Sequence, residues 1–404
     1  MRSKFTLWLS AGLVVAAVAG LAVDAVAQAP LKIGVLNDQG SIFADVSGRG
    51  SVAAAEMAVE DFGGKVLGRS IEVVSADTQN KPDIGAGIAR RWFDAEGVVA
   101  IFDPSPSSVA LAVQELAKER GKITVMSSAG TSLLTGKNCS PTGFQWTYDT
   151  VALANGTAAG IVREGGDSWF FITSDFAFGH SLEADAKAVV AANNGKVLGQ
   201  ARHPLNLADF SSFILQAQGS RAKVIGLANS GVDAVNAVKQ IAEFKALQQG
   251  QKLAALTMFI TDIHGIGLEI AQGLYLTESF YWGLDDATKA WSKRFAARFQ
   301  GRMPTSAQAG VYSAVAHYLK AVAAAGTDAG PAVAEKMRAT IVQDFTTPGA
   351  KIRKDGRLMR DFYLFQVKRP SESTGAWDYY NVIRKIPAAD AAPPESGRGC
   401  SLTD

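Results

Sequence analysis

Three short segments carry hydroxyls and small residues in an order that suits holding an anion. They are Asn37-Asp38-Gln39-Gly40-Ser41-Ile42-Phe43, Asp103-Pro104-Ser105-Pro106-Ser107-Ser108 and Ser127-Ser128-Ala129-Gly130-Thr131-Ser132. The second and third combine Ser and Thr side chains with backbone N–H groups near expected helix N-termini. Such groups can hold a carboxylate without Lys or Arg, because hydroxyls and orphan amides both donate. Hydroxyl-rich loops also serve as plain helix caps, so one loop alone decides nothing. Their recurrence at the carboxyl ends of three expected strands in the first half of the chain points to a single binding edge.

Catalytic patterns fit less well. Gly48-Arg49-Gly50-Ser51-Val52-Ala53 matches G-x-G-x-x-A. A dinucleotide loop follows its strand almost at once, whereas about eleven residues intervene here. Small residues that let a helix pack closely on its sheet are the plainer reading. Gly179-His180-Ser181-Leu182-Glu183 has Glu where a nucleophile elbow needs Gly. Gly130 to Lys137 has the Gly and Lys of a phosphate loop at the wrong spacing, and Asp285-Asp286 reads as a helix cap. The sequence contains no HExxH, Walker A or CxxC, and 4 His with 2 Cys are few for a His/Cys metal cluster. No motif calls for a cofactor or a metal.

The elements that must position the loops alternate. Leu31–Leu36, Ile71–Ala76, Val98–Phe102 and Ile123–Met126 read as strands. Helical spacing runs through Ser47–Phe62, Pro82–Ala95 and Pro106–Arg120. The pattern repeats with strands Trp169–Thr173, Lys196–Ala201, Val224–Ala228 and Leu253–Ile260, and helices Gly179–Asn193, Asp209–Gln218 and Asp233–Leu247. Strands separated by helices imply βαβ units and parallel sheets, hence two similar α/β halves. Asp286–Phe299, Ser306–Ala325 and Gly330–Gln343 read as helices, followed by β-rich stretches at Phe362–Val367 and Trp377–Ile383. A last section of this kind can return to the first lobe and cross back, so that several strands form a hinge. The Ala/Pro/Gly-rich residues 386–404 read as a loose tail.

The whole chain has 404 residues, 48% hydrophobic and 19% charged, with 40 Lys+Arg against 38 Asp+Glu. That length suits two domains, and the balance of charge offers no basic stripe for nucleic acid. Arg2 and Lys4, the apolar run Phe5–Val23 and Ala25-Val26-Ala27 together read as a secretory leader cut after Ala27; the alternative is an uncleaved N-terminal anchor, since the apolar stretch is long enough to span a bilayer. Export places the chain in an oxidising compartment, where Cys139 and Cys400 could pair and pin the tail to the first lobe.

The strand Leu31–Leu36, the helix through Glu56 and Asp61, the Ser107-Ser108 loop and the Ser127–Thr135 segment resemble the branched-chain amino-acid type of periplasmic solute-binding protein, which serves ABC transporters. The resemblance spans about residues 30–385 and implies the type I periplasmic-binding fold: α/β, two Rossmann-like lobes with mainly parallel sheets joined by three crossover segments. It implies an N-terminal lobe of 28–148 plus 279–345 and a C-terminal lobe of 149–278 plus 346–385. It also implies that Ser108, Ala129 and Thr131, with Ser107 beside them, receive a ligand carboxylate, and that Phe178 covers the ligand. Asp262 matches the acidic residue that takes an ammonium in amino-acid binders, and Asn229 and Ser230 match a further contact.

Gln39-Gly40-Ser41 with Phe43 replaces the family's small first-loop run, and Ser230 stands where a ring is common. A smaller residue facing Phe43, Phe102 and Phe178 leaves room for a larger, flatter ligand. Ser-Asp-Phe-Ala-Phe-Gly-His (174–180) and Phe-Ile-Thr-Asp-Ile-His (259–264) are similar to the subgroup that binds aromatic carboxylates. In that reading His264 bonds a ring hydroxyl or the carboxylate; in the plain reading it is a cap or core residue, and Phe43, Phe102 and Phe176 are ordinary core. The expectation is a periplasmic monomer without enzymatic activity, cofactor, metal or nucleic-acid partner. It would pass a small carboxylate, aromatic acid or amino acid, to an inner-membrane ABC permease. The alternatives are a ligand-sensing receptor of the same fold and an exported hydrolase.

Overall fold

A computed structural model describes Met1 and residues 28–247 and 251–404. The expected leader, with its cut after Ala27, lies outside the described residues. The first sheet has six strands in the order Lys65–Val66, Arg69–Asp77, Leu31–Asn37, Val98–Phe102, Ile123–Met126, Gly143–Gln145. Apart from the short antiparallel edge Lys65–Val66, its strands are parallel, with Leu31 opposite Ile71 and Asn37 opposite Asp77. The second sheet has seven, in the order Tyr380–Ile386, Phe362–Val367, Tyr275–Glu278, Lys252–Ala255, Val224–Ala228, Ser168–Ser174, Lys196–His203. Its last two chain segments, Phe362–Val367 and Tyr380–Ile386, join antiparallel.

The central strands Val98–Phe102 and Val224–Ala228 are apolar throughout because helices cover both faces. On one face of the first sheet Leu31, Ile33, Val35 and Phe102 pack with Tyr318, Leu319 and Val322 of the helix Ser306–Ala325. On the other, Trp92 and Phe93 of Pro82–Asp94 meet Val109 and Val113 of Ser107–Glu119. The Gly48–Ala53 motif begins the helix Gly48–Phe62, and a Cβ on Gly50 would lie 2.2 Å from Gln308. Its small residues therefore admit a neighbouring helix rather than the sheet.

Several boundaries differ from those expected. The expected strand to Ile260 stops at Ala255, because Asp262 accepts the Phe259 N–H at 2.9 Å and starts a helix at Ile260–Ile266. A helix, Thr150–Arg163, falls in a stretch left unassigned from sequence; Asp149 caps it through the Ala152 N–H at 2.8 Å. Val342–Gln343, Pro348–Ile352 and Leu358–Met359 form a small antiparallel sheet. Its Ala350, Ile352 and Leu358 enter the first lobe's core, so residues 346–359 belong with that lobe rather than the second. The third crossing is consequently at Arg360-Asp361, not at 345/346.

The crossings are held by buried polar groups. Asp149 on the first and Arg357 beside the third form an ion pair, both almost wholly buried. Glu278, at the end of the strand leading into the second, accepts hydroxyl protons from Ser306 at 2.8 Å and Tyr380 at 3.1 Å. The tail is not loose. Ala388–Ala391 is helical and Ala391 packs into the second lobe, while Cys400 is bonded to Cys139 of the first, with Cα atoms 5.5 Å apart.

Candidate functional site

Each sheet reverses its strand order once. In the first the reversal lies between Leu31–Asn37 and Val98–Phe102, in the second between Ser168–Ser174 and Val224–Ala228. Loops leaving such a point part to either side and leave a crevice. Here the two crevices face each other across a partly open cavity of about 350 Å³. Phe43, Val46, Ser47, Ser105, Pro106, Ser107 and Ser128 line it from the first lobe. Tyr148 lines it from the first crossing, and Phe176, Phe178 and Ser230 from the second lobe.

The first loop is folded by Asp38, whose carboxylate accepts the Phe43 N–H at 2.8 Å, the Ser41 N–H at 2.9 Å and the Ser41 hydroxyl at 2.9 Å. This turns the Phe43 ring to the cavity, 6.0 Å from that of Phe176. The second loop turns on Asp103, wholly buried with φ +56°. Burial pushes the Asp103 carboxyl up, against the pull of its hydrogen bonds from Ser128, Ser51 and Asn37. Ser128 gives it both a backbone N–H, at 2.8 Å, and a hydroxyl, at 2.6 Å, which ties the second loop to the third. Ser107 accepts the Thr131 N–H at 3.2 Å on its hydroxyl oxygen. The hydroxyls of Ser47 and Ser105 are buried without a hydrogen-bond partner in the protein.

Four helices begin at or beside this cavity: Gly48–Phe62, Ser107–Glu119, Ala177–Ala192 and Val232–Glu243, none with a side-chain cap hydrogen bond. Their first N–H groups and dipoles favour negative charge in the space between them. Among the described residues its lining has hydroxyls and rings but no carboxylate, ammonium, guanidinium or imidazole. Chemically this suits one anionic group on an apolar body.

Of the residues singled out from sequence, Phe43, Ser107, Phe178 and Ser230 come together in the lining. Ser108 is half-buried one step inside its helix, and Ala129 packs with Ala110, Met126 and Leu134. Thr131 is buried as the cap of the turn Ser132–Thr135, accepting the Leu133 N–H at 3.4 Å, so it builds the rim rather than lining it. Gln39 donates its N–H to Asp77 at 3.2 Å, and Asn229 lies 3.3 Å from the His203 ring; both stand outside the lining. Phe102 is core, 5.4 Å from Tyr318.

Asp262 and His264 also stand apart. Asp262 faces a separate cleft of about 560 Å³ at the mouth of the lobes, where burial and the Asp45 carboxylate push it up to about 7. His264 stacks on Trp377 at 4.1 Å and bonds the Tyr379 hydroxyl at 2.7 Å. The sequence reading missed Tyr148, Val46 and Ser47, and it did not single out Ser105, Pro106, Ser128 or Phe176 as contacts, although their loops were named. No sequence signal marked Tyr148, because the helix that Asp149 caps was not assigned.

The lobes are closed on this cavity. The Val232 N–H reaches the Ile42 carbonyl at 3.4 Å, and Ser132 donates its N–H to Ser181 at 3.2 Å. Gly231, at φ +61°, lies so close that a Cβ there would come within 2.5 Å of the Ile42 carbonyl oxygen.

Comparison with known proteins gives a consistent picture. A family model described as periplasmic binding protein matches residues 30–376. No curated protein sequence matches. A periplasmic binding protein from Burkholderia mallei shares 46% identity over 92% of this chain and 99% of its own, with a TM-score of 0.90. A branched-chain amino-acid ABC transporter periplasmic ligand-binding protein from Burkholderia xenovorans shares 38% over 92% and 99%, with a TM-score of 0.82. A solute-binding protein from R. palustris, solved in complex with benzoate, shares the fold at 20% identity, over 92% and 100%, with a TM-score of 0.80.

Proposed function

The chain belongs to the periplasmic binding protein family, the solute-binding components of ABC transporters, and from that premise we propose that its ligand is an aromatic monocarboxylate. The observation that carries this reading is the lining: serine hydroxyls and uncapped helix N-termini from both lobes, set among the rings of Phe43, Phe176, Phe178 and Tyr148, with no acidic side chain among the described residues that line it. A carboxylate finds donors there, a flat apolar body finds rings, and an α-ammonium finds no counter-charge. The solved R. palustris neighbour in complex with benzoate fits the same reading.

The cycle involves no bond-making. An open form admits the ligand, the first lobe's loops take the carboxylate, and the second lobe closes over the rings and shifts the population to the closed form. The closed form is what an inner-membrane permease would receive. A cut after Ala27, export to the periplasm and action as a monomer complete the proposal.

A second reading, an amino-acid ligand, draws support from the Burkholderia xenovorans relative and from Asp262 at the mouth of the lobes. Titration calorimetry with benzoate, 4-hydroxybenzoate, coumarate and leucine separates the two. Binding of at least one aromatic acid with no heat from leucine is expected. Leucine binding with no aromatic response overturns the aromatic reading. Recovery of the bound acid unchanged is expected, and its turnover would favour a hydrolase.

A further inference from the structure

The tail does more than cover surface. Its helix Ala388–Ala391 is fastened to the second lobe: Ala391 is buried in that lobe's core, and its carbonyl accepts the Asn155 amide at 3.1 Å. Two residues later the chain is fastened to the first lobe. The Pro393 carbonyl accepts from Arg353 at 2.7 Å, and the Glu395 carboxylate accepts the Lys354 N–H at 3.0 Å, both on the turn of the small sheet. Arg398 then donates to the Ser132 carbonyl at 3.3 Å, and Cys400 is bonded covalently to Cys139. Only Ala392 separates the last anchor on one lobe from the first anchor on the other.

We infer that residues 388–400 form a fourth, disulfide-locked crossing that limits how far the lobes open and thereby slows ligand exchange. Three crossings leave a hinge free to rotate. A fourth strap with almost no slack must either stay within its reach or break its anchors. One residue spans at most about 3.6 Å, so the strap cannot follow a wide opening. The position of its far end matters too. Ser132, held by Arg398, follows the Ser127–Thr131 loop and makes the Ser181 contact between the lobes. The strap therefore ends against a contact that opening has to break.

The test uses the ligand-free mature protein, so it stands whether or not the aromatic reading holds. Two variants are compared with the wild type by small-angle scattering: the double substitution Cys139→Ser with Cys400→Ser, and an insertion of Gly-Gly-Ser-Gly after Ala392. The insertion keeps the disulfide and its stabilisation, and adds only slack. Both variants are expected to show a larger radius of gyration, with secondary structure by circular dichroism unchanged. For whichever acid binds in calorimetry, stopped-flow dissociation should be several-fold faster in the insertion variant. A folded insertion variant with the wild-type radius of gyration overturns the strap. If the double serine variant unfolds, the insertion variant alone decides.

Discussion

Ser107 accepts the Thr131 N–H, which fixes the third loop, and in the proposed function its hydroxyl donates to the ligand. Ser107→Ala is expected to weaken carboxylate binding by about 1–3 kcal/mol, since a buried anion loses a donor. Ser108→Ala, outside the lining, is expected to change affinity less than twofold; calorimetry on both variants checks the pair. Phe178 is buried at the opposite wall, and Phe178→Ala should cost about 2 kcal/mol of binding through lost apolar contact. The same measurement decides that: an unchanged Kd would remove Phe178 from the site. The loops that carry these residues were legible because Ser, Thr and small residues cluster after expected strands. Which hydroxyl faces the ligand was not, because adjacent residues at a helix start point in different directions and only the fold sets the angle. Asp262 and His264 show the same limit. Each has the right chemistry in the right loop, yet one is used to start a helix and the other is stacked on Trp377, a partner over a hundred residues away.

Among the elements, the start of the helix Val232–Glu243 and the strand Tyr275–Glu278 govern closure and hinge. Gly231 has the backbone conformation that favours glycine and no room for a Cβ against Ile42. Gly231→Ala is expected to weaken ligand binding at least tenfold by holding the lobes apart, with the ligand-free melting temperature lowered only slightly. A wild-type Kd would show that closure does not need the close approach. At the hinge, burial pushes the Glu278 carboxyl up to about 8. Folding then takes up protons between its ordinary range near 4.5 and about 8, so stability falls as pH rises through that window. Melting curves from pH 5 to 9 should show this fall in the wild type and a flatter profile in Glu278→Gln. Identical profiles would mean that Glu278 does not titrate in the window. Parallel strands and long helices were readable from apolar runs and spacing. The small sheet at 342–359 was not: its strands are two to five residues long, and their burial depends on a core built mostly from residues far earlier.

At the level of the molecule, two α/β lobes were implied by the repeated alternation of strand and helix. The crossings were implied only by resemblance, and the third was misplaced, because the partners that fix it are distant in sequence. That interleaving bears on how the protein is made. The first lobe's core contains both Leu31 and Leu358, and the second lobe's contains both Trp169 and Ile386. A chain emerging N-terminus first therefore holds, for most of its synthesis, two half-domains that cannot seal. Their missing pieces, including Arg357 for Asp149 and, 261 residues on, Cys400 for Cys139, are made far later. Contacts of such long sequence separation delay folding, since the loops that bring them together must close first. The same topology that gives a hinge thus keeps each half-domain of a nascent chain open until its distant partner segments have been made.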